Sequence, residues 1–513
     1  MTMKRALFNI VITVMIILSG LLLWLRYGVD QEHIQSILAN ALGPDYNVEI
    51  NSARLLPLQR AVSIGQMEIS TSHDGQTIFR TGTLHISGIS PRLIFRKNII
   101  LSKVKMDMFM VDWDSSHLSG DEDSSDDTTV QKLVIESLDL TNGTLIVSED
   151  GRENNRINAF NLNAGLSFEF MADSDTIYSL QHSIAIDSLG FLFSEDRYRF
   201  SLSEFNFTHQ DSLLTLSSMK LIPVGGYNLF MSSQEFDTDM FEIEIANLTA
   251  FGIDPSAYYK QEIIKARSLD FDAFRIHVSK DKQLPEKPDK KNPLMLNKSI
   301  QNLPFAIQLD SLFFRNTDIQ YSEQDEKGAR PGTISFMNST IQISDVNSLS
   351  MLPASLNAVT YLQNHSELNT ELNFTLDDGP FRMTGTGNLQ PFDLKALNSI
   401  FMDLEGVEIV SGLVHELDFD FEMMDDTSTG RMHLLYENLQ MEIIDRDDYD
   451  VSFTNSIKSF IANKAVLRSG NLADSTNEER TGEIDHIYDP ESSFFKYLWH
   501  SLRSGIYDIA SRI

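Results

Sequence analysis

Apolar and polar residues alternate with a period of two along most of the chain between residues 46 and 450. Leu417, Phe419, Phe421 and Met423 alternate with acidic residues, a pattern typical of strands with one apolar and one solvated face. Short polar turns separate these runs, and almost no helical pattern is present that would connect parallel strands. The sequence therefore predicts a mainly β fold with an antiparallel sheet.

The alternation also marks side chains that would share the apolar face of this sheet. They come from three runs that are each as long as a strand. These positions are Val104, Met106, Met108, Leu372, Phe374, Leu376, Leu417, Phe419, Phe421 and Met423. A closed sandwich would show the same alternation as an open sheet, so the pattern alone leaves both architectures open.

An internal repeat lies at an offset of 174 residues. The segment 135–149 (IESLDLTNGTLIVSE) is similar to the segment 309–323 (LDSLFFRNTDIQYSE), with Ser-Leu, Asn and Ser-Glu at matching positions. Two amphipathic strands can resemble each other by chance, but the shared register favours a true repeat. Repeated units of this kind indicate an elongated sheet that grows by addition of modules.

Two segments interrupt the alternation. Residues 114–129 are acidic and rich in serine, which predicts a solvated loop rather than a calcium site, because the ligand spacing and turn glycine of an EF-hand are missing. Residues 279–298 combine prolines with lysines and predict an extended linker. The resulting division is 1–26 anchor, 27–113 short helix and first β segment, 114–129 acidic loop, 130–278 first module, 279–298 linker, 299–450 second module and 451–513 C-terminal segment.

The N-terminus predicts a transmembrane helix. The uncharged apolar run from Ala6 to Leu25 would span ~30 Å as a helix, about the thickness of a bilayer's hydrocarbon core. Lys4 and Arg5 precede it, which favours a cytoplasmic N-terminus and an exported body. A cleaved signal peptide is the alternative, but this run is long for one, and the small-residue site ending at Ala41 lies far downstream.

The C-terminus predicts an amphipathic helix. Its apolar stripe, with Trp499 beside it, would contact a membrane interface or a partner, or would cap the end of the sheet. The side chains concerned are Phe495, Leu498, Trp499, Leu502, Ile506 and Ile509.

Composition narrows the function. The net charge of −32 argues against nucleic acid as a partner, since phosphates require a positive surface. The chain contains no cysteine, which excludes disulfides and thiolate metal sites. The 12 histidines are scattered, and no HExxH, GxSxG or Walker pattern is present, so we predict no enzymatic activity and no cofactor.

Several segments together resemble the AsmA-like family of periplasmic proteins. They are the membrane anchor, the strands of residues 48–113, the repeat copies, the segment FRMTG at 381–385, the segment IVSGL at 409–413 and the ending SFFKYLW at 493–499. The resemblance covers nearly the whole chain, although each piece is a degenerate pattern.

This resemblance implies a taco-like β-groove, anchored in a bacterial inner membrane with its body in the periplasm. It implies binding or transport of phospholipid or another acylated lipid in support of outer-membrane biogenesis, with an outer-membrane or envelope protein as a partner. The ten apolar positions would then line the groove. The alternative is a structural adaptor for an envelope assembly complex whose interior is ordinary core, and an envelope hydrolase has the least support.

Overall fold

The computed structural model describes most of the chain. The described residues are 35, 39, 44, 46–56, 59–73, 75–88, 98–114, 132–149, 152–171, 174–177, 183–193, 197–288, 291–325, 330–443, 468–473 and 478–511. They form two compact units, Met1–Ser217 and Ser218–Ile513.

The described residues of the first unit lie mainly in strands. They are β1 (Tyr46–Leu56), β2 (Ala61–Thr71), β3 (Thr77–Ser87), β4 (Asn98–Leu101), β5 (Lys103–Asp114), β6 (Lys132–Glu149), β7 (Arg152–Met171), β8 (Ser174–Ile177), β9 (Ser183–Phe193), β10 (Tyr198–Thr208) and β11 (Leu213–Leu216). Neighbours pair in antiparallel fashion from β1 through β2 and β3 to β5, and from β6 through β7, β9 and β10 to β11.

The second unit adds a few helices to a larger set of strands. Its strands are β12 (Ser218–Pro223), β13 (Met240–Phe251), β14 (Ile263–Asp281), β15 (Ala306–Gln324), β16 (Gly332–Asn347), β17 (Ala354–Leu362), β18 (Ser366–Phe374), β19 (Arg382–Leu389), β20 (Phe392–Asp393), β21 (Val407–Met424), β22 (Thr427–Ile443) and β23 (Thr481–Ile487). Its helices are α1 (Gly226–Ser232), α2 (Pro255–Gln261), α3 (Leu296–Gln301) and α4 (Phe494–Ala510), with short helical turns at Leu394–Leu397, Asn398–Ile400 and Phe401–Glu405.

The prediction of a mainly β, antiparallel fold is confirmed for most strand pairs, but both repeat copies are exceptions. The first copy lies in β6, which pairs in parallel with β4 and β5, and the second lies in β15, which pairs in parallel with β14. A parallel pair needs a long connection to return the chain to the starting edge. Residues 282–305 form this connection between β14 and β15.

A row of irregular residues crosses the strands of the first unit near their middles. Asn51 lies opposite Gln66, and the row continues through Gly82, Met108 and Asn142 on the neighbouring strands. Gln66, Met108 and Asn142 have positive φ angles of 48°, 50° and 51°. Each interrupts the alternation of its own strand, and because neighbouring strands are interrupted at the same height, the pairing register is the same on both sides of the row. We call this line the bulge row of the first unit.

The bulge row changes which residues face the core. In β2 the buried positions step from Ile64 to Met67, and in β5 the apolar side chains step from Met106 to Phe109, so the spacing is three instead of two. Met108 is therefore 59% exposed, whereas Phe109 is 6% exposed. The predicted alternation through Met108 is wrong, because the bulge turns the following residue toward the core.

The second unit has a bulge row of its own. Ala246 of β13 lies opposite Ala273 of β14, and the row continues at Asn316 of β15 and Asn338 of β16. Ala273, Asn316 and Asn338 have positive φ angles of 51°, 50° and 49°. Both units therefore use one device, in which long strands are interrupted at matching heights.

Several predicted segments lie wholly or partly outside the described residues, and one contains regular secondary structure. The 1–26 anchor and nearly all of the 114–129 loop lie outside the described residues, as does most of the short helix before β1. No described helix is both long enough and apolar enough to cross a bilayer. The predicted linker at 279–298 instead contains the end of β14 and the start of α3, and it connects two strands of the second unit.

Candidate functional site

Two rows of mostly apolar residues, with Thr370 as the polar member of the upper row, run across one face of the second unit's sheet. Directly paired residues on neighbouring strands point to the same face, so the pairing register identifies each row. The upper row is Leu248, Phe271, Phe314, Ile341, Ala358, Thr370, Gly387, Phe419 and Met432. The lower row is Ala250, Leu269, Leu312, Ile343, Leu356, Leu372, Gly385, Phe421, Gly430 and Ile484. We call these two rows the apolar face.

Burial varies along the apolar face. Phe421, Met432 and Ile484 are fully buried at the end next to β23. Toward β14 and β15, the side chains of Phe271 and Phe314 are only partly buried, and the residues between the two ends are also partly buried, apart from the buried Gly385. Part of this apolar surface is thus accessible.

Glycines on β19 let aromatic rings lie flat on the face. A Cβ atom on Gly387 would come within 2.2 Å of Cζ of Phe419, and one on Gly385 would come within 2.5 Å of Cζ of Phe421. The two rings lie 6.1 Å apart with 25° between their planes. Aromatic rings thus fill the space above glycine backbone, which keeps this part of the face smooth.

A second aromatic group lies on the parallel strands β14 and β15. The rings of Phe271 and Phe314 stack with centroids 4.7 Å apart and 7° between their planes, and Phe274 lies 5.5 Å from Phe314. Phe271 and Phe274 contact each other although they are three residues apart, because the bulge at Ala273 keeps both on the apolar face.

The opposite face of the same strands is polar. Asn388 donates a hydrogen bond to Oδ1 of Asp418 over 2.7 Å, and Nε of Arg382 donates to Glu422 over 2.6 Å. Asp420 lies opposite Arg431 in the register. The predicted separation of a charged face from an apolar face is therefore present across β19, β21 and β22.

The polar face also holds a group of side chains that could bind a metal ion. One ligand atom from each of Glu416, Asp418 and His433 lies within 4.8 Å of the others. Protein groups already contact two of them, since Asp418 accepts the bond from Asn388 and His433 pairs with Glu479. We interpret the group as part of the polar network of this face.

The predicted lining residues divide between the two units. In the second unit, Phe374, Leu376, Phe421 and Met423 are buried core residues, while Leu372, Leu417 and Phe419 are partly exposed and pack against that core. In the first unit, Val104 is buried, Met106 is partly buried and Met108 is exposed. The partly exposed residues of the second unit are the best candidates for ligand contact.

Helix α4 packs on the sheet next to β22 and β23. Its buried face is formed by Tyr497, Ser501, Gly505 and Ile509, which recur every four residues. Tyr497 donates a hydrogen bond to the carbonyl oxygen of Met424 over 3.2 Å. Small residues make the close approach feasible, because a Cβ atom on Gly505 would already lie 3.0 Å from Ile484.

The predicted stripe on α4 has two parts. Leu498, Leu502 and Ile506 pack against the core beside the fully buried Ile509. Phe495 and Trp499 are instead 77% and 45% exposed. The helix covers the sheet, as one of the two interpretations predicted, while its first turns present aromatic side chains to solvent.

Two histidines meet between β23 and α4. The rings of His486 and His500 lie 5.4 Å apart, nearly perpendicular to each other. Burial, together with the nearby positive charge of Arg503, lowers the pKa of His500 to about 4. Burial also lowers the pKa of His486.

Comparison with known proteins identifies no relative. The chain matches no protein-family model, and no curated protein matches it significantly.

Of the residues that form the apolar face, sequence patterns identified only Leu372, Phe419 and Phe421. Phe271 and Phe314 lie in runs where apolar residues are spaced irregularly, because a bulge follows each of them. Gly385 and Gly387 carry no side chain and therefore give no hydrophobic signal. Their spacing of two residues inside a strand was the available clue, since such glycines indicate that another group approaches the backbone closely.

Proposed function

We propose that the apolar face of the second unit binds the acyl chains of phospholipid or another acylated lipid. The observation that carries the proposal is the continuity of the apolar rows from Leu248 to Phe419, with partly exposed side chains between them. Strands lie ~4.8 Å apart, so the eight strands that carry this surface, β13 to β19 and β21, extend it over ~34 Å. That is longer than one leaflet's share of a bilayer core, ~15 Å.

The physical basis is burial of hydrocarbon. Transfer of each methylene from water to an apolar site contributes ~0.8 kcal/mol, so an acyl chain can bind such a surface without a specific polar contact. Phe419 over Gly387 and Phe271 on Phe314 form flat apolar areas suited to extended chains. The charged opposite face keeps the same strands solvated.

The sequence places this activity in a cellular context. The apolar run of residues 6–25 and the resemblance to AsmA-like proteins support a protein anchored in the inner membrane, with its body in the periplasm. In this proposal it conducts or binds lipid between membranes without enzymatic activity and supports outer-membrane biogenesis. The groove-like form of the sheet and an envelope protein partner belong to the same proposal.

Photo-crosslinking tests lipid binding directly. A photoreactive amino acid at Phe419, Leu372 or Phe314 of the purified full-length chain should capture co-purifying lipid, detected by mass spectrometry. The same probe at Asp420, on the opposite face of β21, is the matched control and should capture little. Met108, which is an exposed member of the bulge row of the first unit, provides a second control.

The alternative is a structural adaptor whose interior is ordinary core. Equal labelling of both faces, or no lipid at any of the three positions in a folded sample, would reject lipid binding and favour this adaptor. Circular dichroism of each probe variant establishes that the sample is folded.

A topology reporter tests the cellular context. A reporter that is active only after export should be active when fused after Ile513, and the full-length chain should remain in the membrane fraction. Recovery of a soluble product that starts near Leu42 would reject the anchor.

A further inference from the structure

Exposed apolar side chains concentrate at one edge of the second unit's sheet. The connection between β16 and β17 carries Leu349, Met351 and Leu352, which are 63%, 84% and 73% exposed. The pairing register places this connection at the same edge as the end of β23 and the first turns of α4. Ile487 at that end of β23 is 74% exposed. We call the segment Ser348–Pro353 the apolar tip.

The apolar tip is held in place at its base. Ser348 donates its backbone N–H to the carbonyl oxygen of Ile307 over 3.0 Å, and its own carbonyl accepts a bond from Gln301 at 2.8 Å. The three exposed side chains therefore project from a fixed base.

Two backbone N–H groups of the tip donate hydrogen bonds to nearby side chains. The N–H of Leu349 donates to Oδ1 of Asn347 over 3.0 Å, and the N–H of Leu352 donates to Oγ of Ser350 over 3.1 Å. Pro353 has no N–H. An apolar phase accepts a peptide segment only if its polar groups have partners, and these local bonds supply some of them.

Charge also separates this tip from the rest of the chain. The segment 346–366 contains no Asp, Glu, Lys or Arg, although the protein carries a net charge of −32. Exposed Phe495 and Trp499 lie at the same edge, and aromatic residues favour the interface between lipid headgroups and acyl chains. The apolar tip itself is uncharged, and aromatic rings lie at the same edge, which are features of a membrane-contacting surface.

We propose that the apolar tip inserts into the interface of a lipid bilayer with zwitterionic headgroups. The preference for zwitterionic lipid follows from the neighbouring turns, which carry Asp377, Asp425 and Asp426 and would be repelled by an anionic surface. Lys298 at this edge already pairs with Asp378 over 2.7 Å. This inference does not depend on lipid binding by the apolar face.

Fluorescence quenching tests the proposal, and the lack of native cysteine makes specific labelling simple. The full-length chain with Met351→Cys is labelled with a polarity-sensitive dye and placed in phosphatidylcholine nanodiscs. Nitroxide-labelled lipid is supplied either in the nanodisc or in added phosphatidylcholine vesicles. Blue-shifted emission and quenching in either arrangement support insertion, and neither effect in both arrangements overturns it.

Leu229→Cys is the matched control. Leu229 is 56% exposed on α1, at the opposite edge of the sheet, and its dye should show neither effect. Equal quenching at positions 229 and 351 would show non-specific adsorption and would reject the proposal.

Two further changes separate insertion from a structural role of the tip. With the dye at Leu349→Cys, the added change Leu352→Ser should weaken vesicle association about tenfold, since it removes one large apolar side chain from the interface. Replacing a third of the vesicle lipid with phosphatidylglycerol should also reduce quenching, and salt should restore it. An unchanged melting temperature of Leu352→Ser shows that folding is intact, while unchanged quenching in this variant contradicts the proposal.

Discussion

Asn316 donates a hydrogen bond from Nδ2 to Oδ1 of Asp272, 2.7 Å away. In the first unit, Asn142 donates the corresponding bond to Asp107 over 2.8 Å. The two asparagines are 174 residues apart (316 − 142), the offset of the sequence repeat, and both have positive φ. Each bond crosses a parallel strand pair. Each repeat copy therefore carries an asparagine with positive φ, and in each unit an aspartate on the neighbouring strand binds it.

Replacing the bulge asparagine should destabilise the second unit. Asn316→Val places a β-branched residue at a φ of 50°, a conformation that costs an L-residue ~1–2 kcal/mol, and it also removes the bond to Asp272. Asn316→Gly is the control, because glycine adopts this conformation without strain and loses only the bond. Urea unfolding should give a clearly lower midpoint for the valine variant. Equal midpoints for the two variants would show that the backbone conformation is unimportant.

The packing of Phe419 on Gly387 gives a second prediction. Gly387→Ala places a methyl group about where the ring lies, 2.2 Å from Cζ, and should lower the free energy of unfolding by ~1–3 kcal/mol. Adding Phe419→Leu should relieve part of this loss, so the double variant should lose less stability than the sum of the single variants. Thr386→Ala, on the opposite face of β19, is the control. Strict additivity would contradict the contact.

The close approach of α4 to β23 gives a third prediction. A Cβ atom on Gly482 would lie 2.4 Å from the carbonyl oxygen of Gly505, and backbone cannot move aside as a side chain can. Gly482→Val should therefore displace the helix and expose it to limited proteolysis. Phe495→Ser changes an exposed residue of the same helix and should leave the protease resistance unchanged. Resistance of α4 in Gly482→Val would contradict the packing.

The pKa of His500 gives a fourth prediction. Because its pKa falls from an unfolded value of ~6.5 to about 4, the unfolded chain binds more protons than the native state between these pH values. The contribution of the neutral imidazole to stability is complete above pH ~6.5 and is lost as the pH falls toward 4. His500→Gln should therefore show a weaker decline of stability over this window than the wild type, measured by urea unfolding at several pH values. Parallel pH profiles would contradict the assignment.

The strand pattern was predictable because period-two alternation follows directly from the pleat. The interruption of the alternation was not predictable, because no particular residue type is required where it occurs. Ala273 and Met108 adopt positive φ as Asn316 does. A spacing of three between apolar residues, as in Phe271 and Phe274, is the sequence signal that indicates such an interruption. The sequence interpretation took Val104, Met106 and Met108 as regular alternation and so assigned Met108 to the wrong face.

The two segments that interrupt the alternation each connect two strands that pair in parallel, which their composition did not predict. Each precedes a repeat copy, and each lies between strands that pair in parallel: the segment between β5 and β6, and the segment between β14 and β15. Residues 282–288 and 291–294 of the second segment are mostly exposed, as their polar composition predicts, and the first segment lies outside the described residues. Parallel pairing is a tertiary relationship, and neither charge nor proline content reports it.

The apolar face was predictable only in part. Phe419 and Leu372 stand in regular alternation, so the sequence identified them. Whether such a residue ends in the core or at the surface depends on what packs above it, and a single strand carries no information on that. Met423 under α4 and the partly exposed Phe419 on the same strand show this difference.

The order of strand pairing has a consequence for how the chain acquires its structure during synthesis. Most strands of the second unit pair with the strand made immediately before them, so each arrives at an edge that already exists. Addition of β15 requires residues 282–305 to return first, and addition of β23 requires residues 444–480 to return to β22, so these two steps have the longest loops to close in the second unit. Helix α4 follows β23 along the chain and covers that strand. A ribosome stalled before Phe494 would therefore hold a sheet with an unprotected edge, open to pairing with another chain.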